Sequence, residues 1–379
     1  MSKRPSVNRR QFLGLSAAGA VAALGNRLRA AEPAAAKADP ELAWRNVQTW
    51  GVEGKGWTDT ARYFDRLPAR AEGKVPGAVW SLSRHSAGML VRFRTDAAAI
   101  HARYSVLSAS LAMPHMPATG VSGLDLYARD EQGRDRWLNV ARPAAQQMTI
   151  ELASNIDPLP DGKPRLYTVY LPLYNGVESL EIGVAPAAVF EPVAPRADPP
   201  LVFYGTSIMH GACASRPGMS ITGILGRRFD RPVINLGFSG NGRMDAEVVE
   251  LLAELNPCVY AIDCLPNMGA EQVAQRTEPL VRRLREAHPE TPILLVEDRT
   301  YTNAAFHRSS RDRHNGSRAE LRAAYERLLA AGVARLHYLA GDGLLGEDGE
   351  AATDGSHPSD LGMVRYADAY EQTLRKILG

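Results

Sequence analysis

Cysteine is nearly absent: three residues, Cys213, Cys258 and Cys264, serve a chain of 379. So few exclude a disulfide-held scaffold, and an odd count leaves at least one thiol free. Cys258 and Cys264 flank one short apolar segment, which as a strand holds them about 20 Å apart at ~3.3 Å per residue, too far to bridge. A Cys213–Cys264 bridge stays open, and buried free thiols are the ordinary expectation. Excess charge of one sign is lacking as well, with 44 Lys and Arg against 42 Asp and Glu. The first thirty residues hold six basic side chains and no acid, so the remainder is mildly acidic. Such a chain has no electrostatic reason to seek a phosphate backbone, and no nucleic-acid partner is expected. No set of His, Cys or carboxylates shows metal-ligand spacing, so no metal or other cofactor is expected. A composition of 45% hydrophobic and 23% charged residues excludes disorder, collagen and coiled coil as descriptions of the whole.

What is present begins with an address. Asn8-Arg9-Arg10-Gln11-Phe12-Leu13 opens an apolar run over 12–24, and small residues follow at Ala30 and Ala31. Basic region, short apolar region and small-residue cleavage site form the layout of a secretory signal over 1–31. The paired arginines before Phe-Leu resemble a twin-arginine export signal. The alternative is a membrane anchor, but the run is shorter than the ~20 residues that span a bilayer. The expectation is an exported protein, periplasmic or extracellular, with no stable membrane insertion after cleavage. The Ala/Pro-rich stretch over 31–40 reads as a flexible leader.

The remainder has two grammars. Over 41–192, short segments alternate apolar and polar residues, at 90–94, 100–104, 124–127, 148–152, 167–171 and 180–184. Turn clusters such as Asp157-Pro158-Leu159-Pro160-Asp161-Gly162 separate them. That pattern predicts an all-β sandwich or jelly roll. The stretch from Glu191 to Pro200 holds four prolines. It is expected to feed neither a ladder nor a helix, leaving a stiff linker over 193–200. Over 201–379, continuous apolar runs at 201–204, 233–236, 259–262 and 293–296 alternate with helical patterns at 246–255, 272–287, 317–331 and 361–378. Runs apolar on both faces suit a parallel sheet covered on each side, so this half is expected to be α/β, doubly wound.

Sites in such sheets lie beyond the carboxyl ends of the strands. The residues that follow the apolar runs are Gly205-Thr206-Ser207, Gly237-Phe238-Ser239-Gly240-Asn241-Gly242 and Asp263-Cys264-Leu265-Pro266-Asn267. Asp354-Gly355-Ser356-His357-Pro358 precedes the last helix. These are the parts of hydrolysis by a serine nucleophile. A Ser hydroxyl needs a base to take its proton, and His357 can take it and return it to the leaving group. Asp354, three residues earlier, can fix the tautomer of that ring. The oxyanion needs preorganised donors: the N–H groups of Ser207 and Gly240 and the side-chain amide of Asn267.

In these blocks the chain resembles the SGNH (GDSL-type) hydrolases, named for Ser, Gly, Asn and His. Ser207 matches the nucleophile, Gly240 and Asn267 the oxyanion donors, and Asp354 with His357 the base pair. The resemblance implies a flavodoxin-like sheet and metal-free ester hydrolysis through an acyl-enzyme. Two blocks depart from the usual pattern: Thr206 stands where the family has Asp, and Leu265 and Met268 flank Pro266-Asn267. Gly123-Leu124-Asp125-Leu126-Tyr127 resembles the Gly-x-Asp-Leu-Tyr motif of a β-rich domain that precedes one branch of these enzymes. The stretch from Ala214 to Met219 resembles that branch too.

Three further residues are candidate substrate contacts. His115 lies on a Pro-bounded loop of the β-rich half. His210 follows the nucleophile by three positions, where a structural role competes with pocket lining. Arg216 lies in the branch-specific stretch. Asp125 and Tyr127 are expected to pack the β-rich half or its interface, and the role of Asp263 stays open. The reading is an exported serine esterase that hydrolyses carboxylic esters, O-acetyl esters on carbohydrates in the first place, through a Ser207 acyl-enzyme, with a small-molecule or polysaccharide ester as substrate. Two rivals remain: a lipase or acyl-thioesterase of the same fold, and a glycan-binding protein with a vestigial hydrolase fold. Oligomeric state is not legible.

Overall fold

Two antiparallel sheets arise from the alternating segments of the first half. The computed structural model describes residues 41–379, and the expected signal and leader over 1–40 lie outside the described residues. The elements in chain order are β1 (Ala43–Asn46), α1 (Gly77–Ser83), β2 (Leu90–Thr95), β3 (Ile100–Val106), α2 (Ala118–Val121), β4 (Asp125–Arg129) and β5 (Asp135–Val140). There follow β6 (Gln147–Ala153), β7 (Arg165–Tyr170), β8 (Val177–Val184) and β9 (Phe190–Val193). One sheet has the order β1-β8-β3-β6 and the other β5-β4-β7-β2-β9. Successive strand residues face opposite ways, so Val91 and Phe93 of β2, Ala102 and Tyr104 of β3, Val169 of β7 and Leu180 and Ile182 of β8 meet in one core between the sheets. This is the expected sandwich.

One expectation is corrected. Glu191, Pro192 and Val193 do join a ladder, opposite Arg94, Phe93 and Arg92. The reason is position: β9 is an edge strand, and one side of an edge strand makes no ladder, so Pro is tolerated there.

The second half begins with β10 (Leu201–Gly205), α3 (Ser207–His210), α4 (Ile221–Arg228), β11 (Val233–Gly237), α5 (Ala246–Leu252) and β12 (Val259–Asp263). It continues with α6 (Ala270–Ala287), β13 (Ile293–Val296), α7 (Arg308–Ala330), β14 (Leu336–Leu339) and α8 (Asp360–Leu378). The five strands are parallel in the order β11-β10-β12-β13-β14, the doubly wound arrangement. Val202, Tyr204, Tyr260 and Ile262 pack with α5, α6 and α7. Leu201, Phe203, Val259 and Ala261 pack with α3, α4 and α8. Helix α7 starts nine residues before the expected 317, because its Arg-rich opening turns carry little apolar signal. All three cysteines are free, Cys213 and Cys264 buried and Cys258 half-buried. Among the described residues no helix is long and apolar enough to cross a membrane.

Both α/β cores recruit side chains from the first half. Trp57, Leu67, Val75 and Val79 join the α5–α6–α7 side, and Met116, Val121, Leu173 and Tyr174 join the α3–α4–α8 side. Residues Glu41–Gly379 accordingly form one compact unit.

Candidate active site

Strand β10 delivers Ser207. Its last residue, Gly205, pairs in register with Gly237 of β11 and Asp263 of β12, so the residues beyond these three leave one edge of the sheet together. A side chain at Gly205 would meet the Asp263 carbonyl oxygen at 2.7 Å, which is why this turn requires glycine. Thr206 caps α3, its Oγ1 accepting from the Ile208 N–H at 3.3 Å. Ser207 is thus the first residue of a helix, where a backbone N–H has no intrahelical acceptor.

The loop before α8 brings the imidazole. Ser207 Oγ lies 2.8 Å from His357 Nε2, and His357 Nδ1 lies 2.8 Å from Asp354 Oδ2. Asp354 Oδ1 accepts from the N–H groups of Ser356 at 3.0 Å and His357 at 2.8 Å. Partial burial by itself would raise the Asp354 carboxyl; the hydrogen bonds from the His357 N–H and ring and the Ser356 N–H outweigh it and hold the group at about 2. An ionised Asp354 accepts from Nδ1–H, which leaves Nε2 free to accept from the hydroxyl. Thr353 N–H donates to the His357 carbonyl at 2.9 Å and closes the loop.

Gly240 and Asn267 stand on the neighbouring strand ends. Gly240 has φ +71° in the turn after β11, a conformation that favours glycine. A Cβ there would touch nothing within 4 Å, so the backbone angle, more than close approach, accounts for this glycine. Asn267 ends the short 3-10 turn Leu265–Asn267. Its Oδ1 accepts from Gly242 N–H at 3.3 Å, which orients the amide and leaves Nδ2 without a protein acceptor among the described residues. The loops are tied beneath: Phe238 N–H donates to the Gly205 carbonyl at 2.9 Å.

This geometry can transfer an acyl group to a hydroxyl. The sequence pattern of the GDSL-like lipase/acylhydrolase family matches residues 198–375. That of the N-terminus of SGNH-type esterases matches 42–190. A solved structure from Bacteroides ovatus, assigned as a GDSL-like lipase, is 32% identical, covers 89% of this chain and 98% of its own, and superposes with a TM-score of 0.84. The chain belongs to the GDSL/SGNH hydrolases. It is an ester-bond hydrolase. No curated protein matches this hydrolase by sequence. More distant structures share the fold alone. A salicylyl acyltransferase of a tetracycline biosynthetic pathway is 18% identical, with 90% and 96% coverage and a TM-score of 0.64. A family two carbohydrate esterase from Cellvibrio japonicus is 12% identical, with 89% and 98% coverage and a TM-score of 0.56.

The three candidate substrate contacts of this SGNH hydrolase fare differently. His115 is exposed and its ring centre lies 6.0 Å from that of His357. His210 is fully buried and stacks on Tyr174 at 4.1 Å. Burial, with Arg66 and His85 nearby, pushes its pKa well down. It is a neutral interior group with no exposed atom to offer a substrate, being on a short helix packed against the β-rich half. Arg216 is engaged within the protein. Its Nη1 donates to Asp125 Oδ2 at 2.9 Å and to the Tyr127 hydroxyl at 2.5 Å, and its guanidinium lies over Trp137 at 4.9 Å. The branch-specific motif and the stretch after the nucleophile therefore form an ion pair across the two halves.

One group escaped the sequence reading, and the structure gives the surroundings of another whose role stayed open. Arg299, fully buried, donates from Nε to the Ser356 carbonyl at 3.1 Å and from Nη2 to the Ser356 hydroxyl, bracing the residue before His357. It follows β13, so the strand-end rule pointed to it. Asp263, with no exposure, accepts from the hydroxyls of Tyr366 at 3.2 Å and Tyr370 at 2.8 Å. Burial raises its carboxyl to about 7 against these donors. Among the described residues no three His, Cys or carboxylate groups are placed to share a metal ion.

Proposed function

We propose that this hydrolase is an exported serine esterase that removes O-acetyl groups from carbohydrates through a Ser207 acyl-enzyme. The observation that carries the mechanism is the 2.8 Å contact between Ser207 Oγ and His357 Nε2, with Asp354 on the other nitrogen at 2.8 Å. Oγ attacks the ester carbonyl carbon while its proton passes to Nε2. The oxyanion is met by Ser207 N–H, Gly240 N–H and Asn267 Nδ2. Collapse breaks the bond to the alkoxy oxygen, which leaves with the proton from His357. Water then attacks acyl-Ser207 and gives a proton to His357; collapse breaks the bond to Oγ, which takes that proton back from His357, and acetic acid departs.

The acetyl and carbohydrate part has separate support. Structures sharing the fold include the Cellvibrio japonicus carbohydrate esterase and an acetyl xylan esterase from Butyrivibrio proteoclasticus, 10% identical over 89% of this chain and 99% of its own, with a TM-score of 0.52. Exposed His115 adds a polar group on the β-rich side of the dyad, suited to a hydroxylated leaving group. Export rests on Arg9, Arg10 and the apolar run after them. Release of p-nitrophenol from acetyl, butyryl and octanoyl esters, by wild type and Ser207→Ala, tests the reaction. Acetate release from a panel of acetylated polysaccharides tests the substrate. Wild type should prefer acetyl and Ser207→Ala should be inert. Preference for octanoyl would indicate a lipase, and no turnover by wild type a binding protein.

A further inference from the structure

Arg66, from the β-rich half, is 2% exposed. Burying a cation is costly, and such groups are ordinarily paired with a carboxylate. Among the described residues none stands within ion-pair distance of it; the neighbouring Asp65 pairs with Arg84. Arg66 donates instead to four backbone carbonyls, those of His85 at 2.9 Å, Leu82 at 2.7 Å, Asn235 at 3.1 Å and Gly237 at 2.8 Å. The last two belong to the end of β11, immediately before the turn that carries Gly240.

We propose that Arg66 is a positioning residue for ester cleavage: it fixes the end of β11 and sets an unpaired positive charge behind the oxyanion-binding loop. The proposal rests on Ser207 as nucleophile and Gly240 as oxyanion donor. Two routes lead from the guanidinium to the site. The peptide joining Gly237 and Phe238 accepts from Arg66 at its oxygen and donates from its N–H to the Gly205 carbonyl, two residues before Ser207. Hydrogen bonds in such a chain polarise one another. In the second route, Arg66 Nη2 stands 3.5 Å from His210 Nε2. His210 stacks on Tyr174, whose hydroxyl donates to the Ser207 carbonyl at 3.4 Å. Negative charge develops on the oxyanion only in the transition state, and a fixed cation in a dry interior favours that state over the bound ester. A carboxylate beside Arg66 would cancel the field, and none is there.

The test uses the full chain. Arg66→Met removes the charge and the fork, and Arg66→Lys keeps the charge. His85→Glu brings a carboxylate toward Arg66, because Arg66 Nε donates to the His85 carbonyl at 2.9 Å and the His85 ring centre lies 5.3 Å from that of His210, which Arg66 Nη2 approaches to 3.5 Å. For p-nitrophenyl acetate, Arg66→Met should lower kcat about 10- to 100-fold while KM stays near wild type. Affinity for a boronic acid, which adds to Ser207 as a tetrahedral anion, should fall by a similar factor. Arg66→Lys should recover a large part of both losses, and a folded His85→Glu should show both. A folded Arg66→Met with wild-type kcat and boronate affinity overturns the proposal, whatever its stability. If Arg66→Met does not fold, a folded His85→Glu with wild-type values overturns it equally. Ser207→Ala run alongside separates the two levels: activity surviving there removes the nucleophile itself, without reference to Arg66.

Discussion

A serine hydroxyl is a poor nucleophile until an imidazole accepts its proton, and Ser207 and His357 are already in that contact. Ser207→Ala and His357→Ala should each lower kcat for p-nitrophenyl acetate by at least about a thousandfold, with circular dichroism unchanged. Asp354→Asn should cost up to about ten-thousandfold, because the ring loses its enforced tautomer. Wild-type kcat in His357→Ala would move the base elsewhere. Ser207, Gly240, Asn267, Asp354 and His357 were legible because each follows a recognisable strand or precedes a recognisable helix. The partners of His210 and Arg216 were not legible for one physical reason: Tyr174, Asp125 and Tyr127 come from a distant part of the chain, and separation in sequence does not show which polar groups will be covered; for His210 the structural role is the one the burial supports. Arg66 had no signal at all, since its partners are backbone carbonyls.

At the scale of elements, strand ends and helix starts set the chemistry. Thr206 caps the helix that begins at Ser207. Thr206→Ala should destabilise the protein by about 1 kcal/mol in denaturant unfolding, and Thr206→Ser should be nearly neutral. At the end of β12, Asp263 is raised from an ordinary 3.8 to about 7 by burial. Between those values the folded state binds more proton than the unfolded one, so this group subtracts stability as pH rises from about 4 to 7. Asp263→Asn does not titrate, and its melting temperature relative to wild type should be higher at pH 8 than at pH 5. An unchanged difference would show that Asp263 titrates alike in both states. Four of the five parallel strands were legible as continuous apolar runs and most sandwich strands as alternation; β14 escaped because it is an edge strand, buried only at Leu336. Strand β5 escaped because it is mostly half-exposed, and β9 because Pro192 obscures an edge strand.

At the scale of the whole molecule, the Asp125–Arg216 pair joins the two grammars. Asp125 is fully buried and also accepts from Trp137 Nε1 at 2.9 Å and Gly218 N–H at 2.8 Å. Arg216→Ala leaves that carboxylate without its cation, so unfolding free energy should drop by about 3 kcal/mol while KM for p-nitrophenyl acetate stays at the wild-type value. A raised KM with unchanged stability would return Arg216 to substrate binding. Trp57, Leu67, Val75 and Val79 carry the same connection in apolar form, seated among the helices of the other half. Severed after residue 197, the catalytic portion would present a bare greasy flank to water and precipitate. Engineers seeking a minimal enzyme, or a detachable β-rich module for fusion, would find neither by cutting at that proline-rich seam.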